Sequence, residues 1–162
     1  MFGASIFFGD AAQDEFDDEG IDAFTSIVDV HAEYKFRQFE FRALGVLTNV
    51  NDTEALNIAL DEVVGEEQFG WYVEAAYNIL PDFLPQSNHY LAPFVRYESL
   101  DVQNDVAEGF TKSASSDQNI LTLGLTYKPV NNVVLKLDYR NFSSPGEGAD
   151  ADEVAFGIGY VF

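Results

Sequence analysis

At 162 residues the chain is sized for one domain, 1–162, and although 47% of it is hydrophobic, no run nears the ~18 apolar residues of a membrane-crossing helix. Eight Lys+Arg against 28 Asp+Glu give a formal charge of −20, which excludes nucleic acid as a partner and argues against adsorption to an anionic membrane surface, since both need a basic face. The absence of cysteine excludes a disulfide framework and thiol chemistry.

Period-2 alternation dominates the chain and predicts strands. The first covers residues 2–9, with Phe2, Ala4, Ile6 and Phe8 in one phase, and an acidic connection follows at 10–20. A second strand at 23–35 sets Phe24, Val28, Val30 and Tyr34 against Asp29, His31, Glu33 and Lys35. After a turn at 36–38, a third strand at 39–48 sets Phe39, Phe41, Ala43 and Leu47 against Glu40 and Arg42. Residues 50–67 form an insertion with a short helix, capped by Asp52 and carrying Ala55, Leu56, Ala59, Leu60 and Val63 on one face. A surface cap or a constriction within a lumen are its two readings.

The fourth strand, 69–79, shows Trp71, Val73, Ala75 and Tyr77 opposite Tyr72 and Glu74, and the two prolines of 81–88 read as a turn. In the fifth, 89–98, Leu91, Val95 and Tyr97 oppose Arg96 and Glu98; Pro93 loses a ladder bond and predicts a bulge. Residues 99–117 read as a polar loop. A sixth strand at 118–128 carries Leu121, Leu123, Leu125 and Tyr127 in one phase, and a turn follows at 129–132. The seventh, 133–142, sets Leu135, Leu137 and Tyr139 against Lys136, Asp138 and Arg140. A Gly- and Asp-rich connection at 143–152 leads to a last strand, where Val154, Phe156, Ile158, Tyr160 and Phe162 alternate with small residues. Long connections fall on one side of this array and short ones on the other, as in an up-and-down barrel with short periplasmic turns and long outer loops. The chain opens directly on Phe2-Gly3-Ala4-Ser5-Ile6-Phe7-Phe8 without a basic leader, so the expectation is a mature chain or a piece of a longer one.

A terminal Phe162 preceded by Tyr160, Ile158 and Phe156 resembles the closing strand of bacterial outer-membrane β-barrels. More narrowly, Leu91-Ala92-Pro93-Phe94-Val95-Arg96-Tyr97-Glu98, Tyr127-Lys128-Pro129 and Val133-Val134-Leu135-Lys136-Leu137-Asp138-Tyr139 resemble the C-terminal half of a porin family related to the phosphate-selective porins. The resemblance implies that Phe156, Ile158, Tyr160 and Phe162 are what the barrel-assembly machinery reads. It also implies an integral protein of the outer membrane, in contact with its lipid and lipopolysaccharide. The porins of that family are much longer than 162 residues, so this chain is expected to be part of a larger barrel or a complete eight-stranded one.

Alternation alone suits a soluble barrel equally well. Sorting by depth favours a transmembrane antiparallel up-and-down β-barrel. Phe24, Tyr34, Trp71, Tyr77, Tyr97, Tyr127, Tyr139 and Tyr160 stand toward the strand ends with aliphatic residues between, as aromatic girdles flank a lipid-facing band. The opposite phase holds Glu40, Arg42, Glu74, Arg96, Glu98, Lys136, Asp138 and Arg140. In a wide barrel these would line a lumen and screen solutes by charge; in a closed eight-stranded barrel they would be a packed ion-pair network. The expected function is therefore porin-like passive diffusion of small hydrophilic solutes or ions, as a single chain or a homo-oligomer. The rival is a pore-less eight-stranded barrel with a structural or adhesive role through its acidic loops.

Nothing points to an enzyme. The sequence holds no nucleophile–base set, phosphate loop or paired carboxylates, and implies no cofactor. His31 and His89 stand apart and make no metal site; Asp14, Glu15, Asp17, Asp18 and Glu19 invite a calcium site but lack the ordered spacing of a calcium loop, and their other reading is a solvated, anionic outer surface.

Overall fold

A computed structural model describes residues 1–10, 20–146 and 151–162. Eight strands form one antiparallel sheet in sequence order: β1 (Phe2–Asp10), β2 (Phe24–Phe36), β3 (Phe39–Val50), β4 (Gly65–Tyr77), β5 (Tyr90–Val106), β6 (Asp117–Val130), β7 (Val133–Ser143) and β8 (Ala151–Tyr160). Each strand pairs with its neighbours in sequence. Among the described residues β1 pairs with β2 alone and β8 with β7 alone, so the sheet is open. Two short helices, α1 (Thr53–Leu60) and α2 (Leu80–Phe83), occupy the β3–β4 and β4–β5 connections. No helix of the described residues is long and apolar enough to cross a membrane.

Phe36 pairs with Phe39, so a two-residue turn joins β2 to β3, with Arg37 in the left-handed region (φ 56°). A positive φ at the first turn residue matches the twist of the flanking strands. The acidic cluster from Asp14 to Glu19 lies outside the described residues.

Several local expectations are corrected. The stretch 99–106 is strand, not loop: β5 runs on to Val106 beside β4, which begins at Gly65. Pro93 makes no bulge and pairs in register with Leu125. The Leu91 N–H points to the β4 side, toward the Asn78 side chain. By alternation the ring nitrogen of Pro93 also faces the β4 side, opposite Tyr77, where it has no N–H to donate. Asp52 occupies the N-cap of α1, but its backbone is left-handed and its side chain caps nothing in the helix. Its carboxylate accepts the Asp22 N–H instead, at 3.2 Å. The β4–β5 connection is not a simple turn. Pro81 sits in the first turn of α2, where a missing N–H costs nothing.

Each face of the sheet carries one phase of the alternation, and their exposure is inverted relative to a water-soluble protein. On the apolar face Val30 is 58% exposed, Leu123 50% and Phe156 70%. On the charged face the side chains of Glu74 and Asp138 are 4% and 6% exposed. A flat sheet shelters both faces alike, so the sheet curls around its charged face. Apolar residues are buried in two small clusters. Ile21, Ala23, Val50 and Leu56 come together under α1, with Val64 against them; Ala76, Ala92 and Phe94 meet on the charged face, beside Tyr90.

Candidate functional site: a charged row on the sheltered face

The register of seven strands aligns Glu33, Arg42, Glu74, Arg96, Thr122, Arg140 and Glu153 in one cross-strand row. Directly opposed residues have Cβ atoms about 5 Å apart, so long side chains of opposite charge meet with little ordering cost. Glu74 is the centre. Its Oε1 accepts from Arg42 at 2.8 Å, and its Oε2 from Nε and a terminal nitrogen of Arg96 at 2.9 and 2.7 Å. Arg42 also reaches Glu40 at 3.2 Å and Glu33 at 3.6 Å, Lys35 lies 3.4 Å from Glu40, and Glu98 stands 3.8 Å from Arg96. Five of the eight charged residues anticipated on this face thus form one connected network. Glu33 and Lys35 of the same phase extend it.

The remaining three stand apart from that network. Arg140 bonds Asp138 at 3.0 Å along its own strand, although Glu153 lies across from it in register. The Lys136 ammonium sits 4.4 Å from the centre of the Phe94 ring. Phe94 lies flat over its cross-strand partner Gly124, where a Cβ would stand 2.3 Å from ring carbons, so only glycine fits beneath it. Arg96 lies over Tyr72 at 4.6 Å and Lys128 over Tyr90 at 5.0 Å. Such pairs add about 0.5–2 kcal/mol each and hold the cations against the sheet.

The row alternates acid and base until Thr122, which stands where alternation would put an acid, between Arg96 and Arg140. Its buried hydroxyl makes no hydrogen bond with a described residue. Charge is consequently segregated sideways. The β2–β4 half carries Asp29, Glu33, Glu40 and Glu74 against Lys35 and Arg42. The β5–β7 half carries Arg96, Lys128, Lys136 and Arg140 against Glu98 and Asp138. The guanidinium side chains remain 26% (Arg96) and 41% (Arg42) exposed while the carboxylate between them is covered. A species approaching this face meets the arginines before it meets Glu74.

All eight aromatic residues anticipated at the strand ends lie on the apolar face. Their arrangement is oblique. Tyr34, near the short-connection end of β2, shares a cross-strand row with Phe41, Ala75, Val95, Leu123, Tyr139 and Val154, although Tyr139 stands near the long-connection end of β7. The next row stays apolar through Val73, Tyr97 and Leu121 and turns polar at Asn141. The one after turns polar already at Ser99, next to Trp71. The boundary of the apolar band therefore runs at an angle to the strands. Phe39 joins the aromatic set, its ring 4.6 Å from that of Tyr77, and Trp71 stands 5.7 Å from Tyr97. Phe156, Ile158, Tyr160 and Phe162 project from the edge strand β8, paired on one side only, and the residues after it, all exposed.

At the long-connection end α1 keeps to the ends of β2–β4. Leu56 packs on Ile21, Ala23 and Val50, and Asn57 accepts the Val64 N–H at 2.7 Å. The connection after β5 is tied down as well. Asp101 accepts from the Gln103 N–H, the Ser116 hydroxyl and the Lys112 ammonium. Burial works against that carboxylate's charge, yet the hydrogen bonds, with Lys112 foremost, hold its pKa below the usual carboxylate range.

No group of three or more His, Cys, Asp or Glu suited to a metal ion occurs among the described residues. Asp29 accepts from Ser5 and stands 3.1 Å from His31. The acid lies between the hydroxyl and the imidazole, an order that leaves serine without a base.

No family model matches the chain, and no solved structure matches it. An uncharacterized protein of Aquifex aeolicus (strain VF5) is 30% identical to it over 118 residues. That segment is 67% of this chain and 27% of the Aquifex protein, so the chain spans about a quarter of the relative's length.

Proposed function

We propose that this chain is part of the wall of a porin-like β-barrel integral to the outer membrane of a Gram-negative bacterium, and that its charged face lines a water-filled passage for small hydrophilic solutes or ions. One observation carries the reading: an apolar, exposed face whose polar boundary runs obliquely to the strands. Barrel strands tilt about 35–45° to the membrane normal, so a band of constant depth must cross them at an angle, with aromatic residues at its two edges. A soluble monomer does not leave so large an apolar face to water. In this frame the band faces lipid, the ends of β4 and β5 beyond Trp71 and Tyr97 project past it beside lipopolysaccharide, and the short turns face the periplasm.

The width of the barrel separates the porin reading from a pore-less structural one. Eight strands closed on themselves leave an interior just filled by side chains. Two unpaired edges, and a relative about four times the length of the matched segment, support a wider barrel completed by further strands. Transport is then passive, without cofactor, and selectivity comes from Arg42, Arg96, Lys136 and Arg140 set against Glu40, Glu74, Glu98 and Asp138. Phe156, Ile158, Tyr160 and Phe162 are the segment offered to the assembly machinery.

The test is conductance of the full-length protein in planar bilayers under a salt gradient. Arg96→Glu should move the reversal potential toward cation selectivity. An unchanged potential in a conducting variant removes Arg96 from the lumen, and the absence of any conductance in the wild type sinks the porin reading.

A further inference from the structure

We infer that α2 and the β2–β3 turn form an interfacial anchor that seats in the phospholipid headgroup layer at the short-connection end of the barrel. This rests on the outer-membrane reading and adds to it a specific lipid contact beyond the strands.

The β4–β5 connection is the longest of the three short ones, and its tip is apolar. Phe83 is 75% exposed and Leu84 57%, with Pro81 and Pro85 stiffening the chain around them. In water such a tip has nothing to gain. The connection is also fastened toward one side of the sheet. Asp82 accepts from the Tyr77 hydroxyl at 2.7 Å and from the Gln38 side chain at 3.2 Å. Tyr77 belongs to the apolar face, so α2 leans over the edge of the apolar band and away from the charged face.

The charge fits the same place. From residue 80 to 88 Asp82 is the one ionised side chain, and both its oxygens are engaged. In the β2–β3 turn, whose Gln38 holds Asp82, Arg37 lies 5.3 Å from the centre of the half-exposed Phe36 ring and makes no ion pair with a described residue. A cation over an aromatic ring at the edge of an apolar band is the arrangement that reaches lipid phosphates, with the ring in the acyl boundary and the charge at the headgroup. The opposite end of the apolar face finishes on Asp101 and Asp117, and the Lys112 ammonium there is engaged by Asp101. Uncharged Gln86, Ser87 and Asn88 complete a segment suited to a half-wet layer.

Spin labels decide the matter, since the chain has no cysteine of its own. Full-length protein, with any other cysteine replaced, is reconstituted in phosphatidylcholine–phosphatidylglycerol vesicles. It carries a nitroxide at Phe83→Cys, with Leu84→Cys as a second site, Val73→Cys on the apolar face and Glu108→Cys at the far end. The ratio of collision with oxygen to collision with a water-soluble nickel chelate should be several-fold higher at 83 and 84 than at 108, and highest at 73. A ratio at 83 and 84 equal to that at 108 overturns the anchor while a high ratio at 73 leaves the membrane reading standing. A label at 83 shielded from both reagents means packing against protein, a second copy included, and also overturns it. A water-like ratio at 73 removes the membrane reading and the anchor together.

Discussion

The middle of the sheet and the end beneath α1 are built in opposite senses. In the middle, Val73, Val95 and Leu123 stand exposed while Glu74 and Asp138 are covered. Under α1 Leu56, Ile21, Ala23 and Val50 are buried and Asp52, Glu54, Asp61 and Glu62 face outward, although of the apolar face expected for the helix Ala55, Ala59 and Leu60 are exposed, and Thr53 and Asn57 are buried in their place. The reversal takes place within single strands. Along β5, Leu91, Val95 and Tyr97 hold the odd positions, whereas beyond Tyr97 the apolar residues Leu100, Val102 and Val106 hold the even ones. Burial of apolar surface from water contributes roughly 25 cal/mol per Å², so in a single aqueous solvent the middle of the sheet would forfeit what the cap gains. On the proposed membrane reading, two solvents along the strand axis would give both arrangements the same reason.

The contrast is broken most forcefully at Glu74. Glu74→Ala leaves Arg42 and Arg96 without their shared carboxylate, and removing one partner of a covered ion pair costs about 3 kcal/mol or more. Denaturant unfolding of the reconstituted protein should show that loss. A loss under about 1 kcal/mol would mean that water already screens the network and that Glu74 does not hold it together. Leu123→Arg tests the other face. In lipid a cation near the middle of the band costs about 2–4 kcal/mol, whereas on a water-exposed surface the change stays within about 0.5 kcal/mol. A neutral result in vesicles would contradict a lipid-facing band.

How much of this was legible in the sequence depends on which interactions set each feature. Strand positions were, because period-2 alternation is local. The hairpin register of β2 and β3 follows from its two-residue turn, so the meeting of Glu33 and Arg42 could have been read. The joining of Glu74 to both arginines could not, because it depends on how the 51–64 and 78–89 connections set the neighbouring registers. The continuation of β5 to Val106 was hidden by the phase change itself: once Asp101 and Asp105 replace valine and tyrosine, the stretch looks like a loop. Helix α2 was signalled by Pro81 at a helix start but masked by the second proline at 85. Tyr72 is a diagonal neighbour of Arg96, Tyr90 stands directly opposite Lys128, and Phe94 reaches Lys136 from two strands away, pairings that no linear pattern marks. Closure of the sheet was expected from the barrel resemblance, yet what the β1 and β8 edges pair with is not set by the pattern within these eight strands.

The smallest expected effect lies at the long-connection end of the contrast, at Asp101. Its folded pKa is lowered from the ordinary value of 3.8. A depressed carboxylate contributes stability that is present above its unfolded pKa and lost as pH falls through the folded one. The connection from 107 to 116, fastened by Asp101 to Lys112 and Ser116, should therefore loosen progressively below about pH 4. Because the Lys112 partner is substantially exposed, the change stays below about 1 kcal/mol and shrinks with added salt. Amide exchange at Gln103 is the readout, since its N–H donates to Asp101 at 3.0 Å. Asp101→Asn should exchange faster at neutral pH and lose the acid dependence, while the amides of the Glu74 row stay unchanged. Equal acid sensitivity in both regions would mean that the sheet and its cap open as one unit, and the boundary between two media would then not be a boundary in stability.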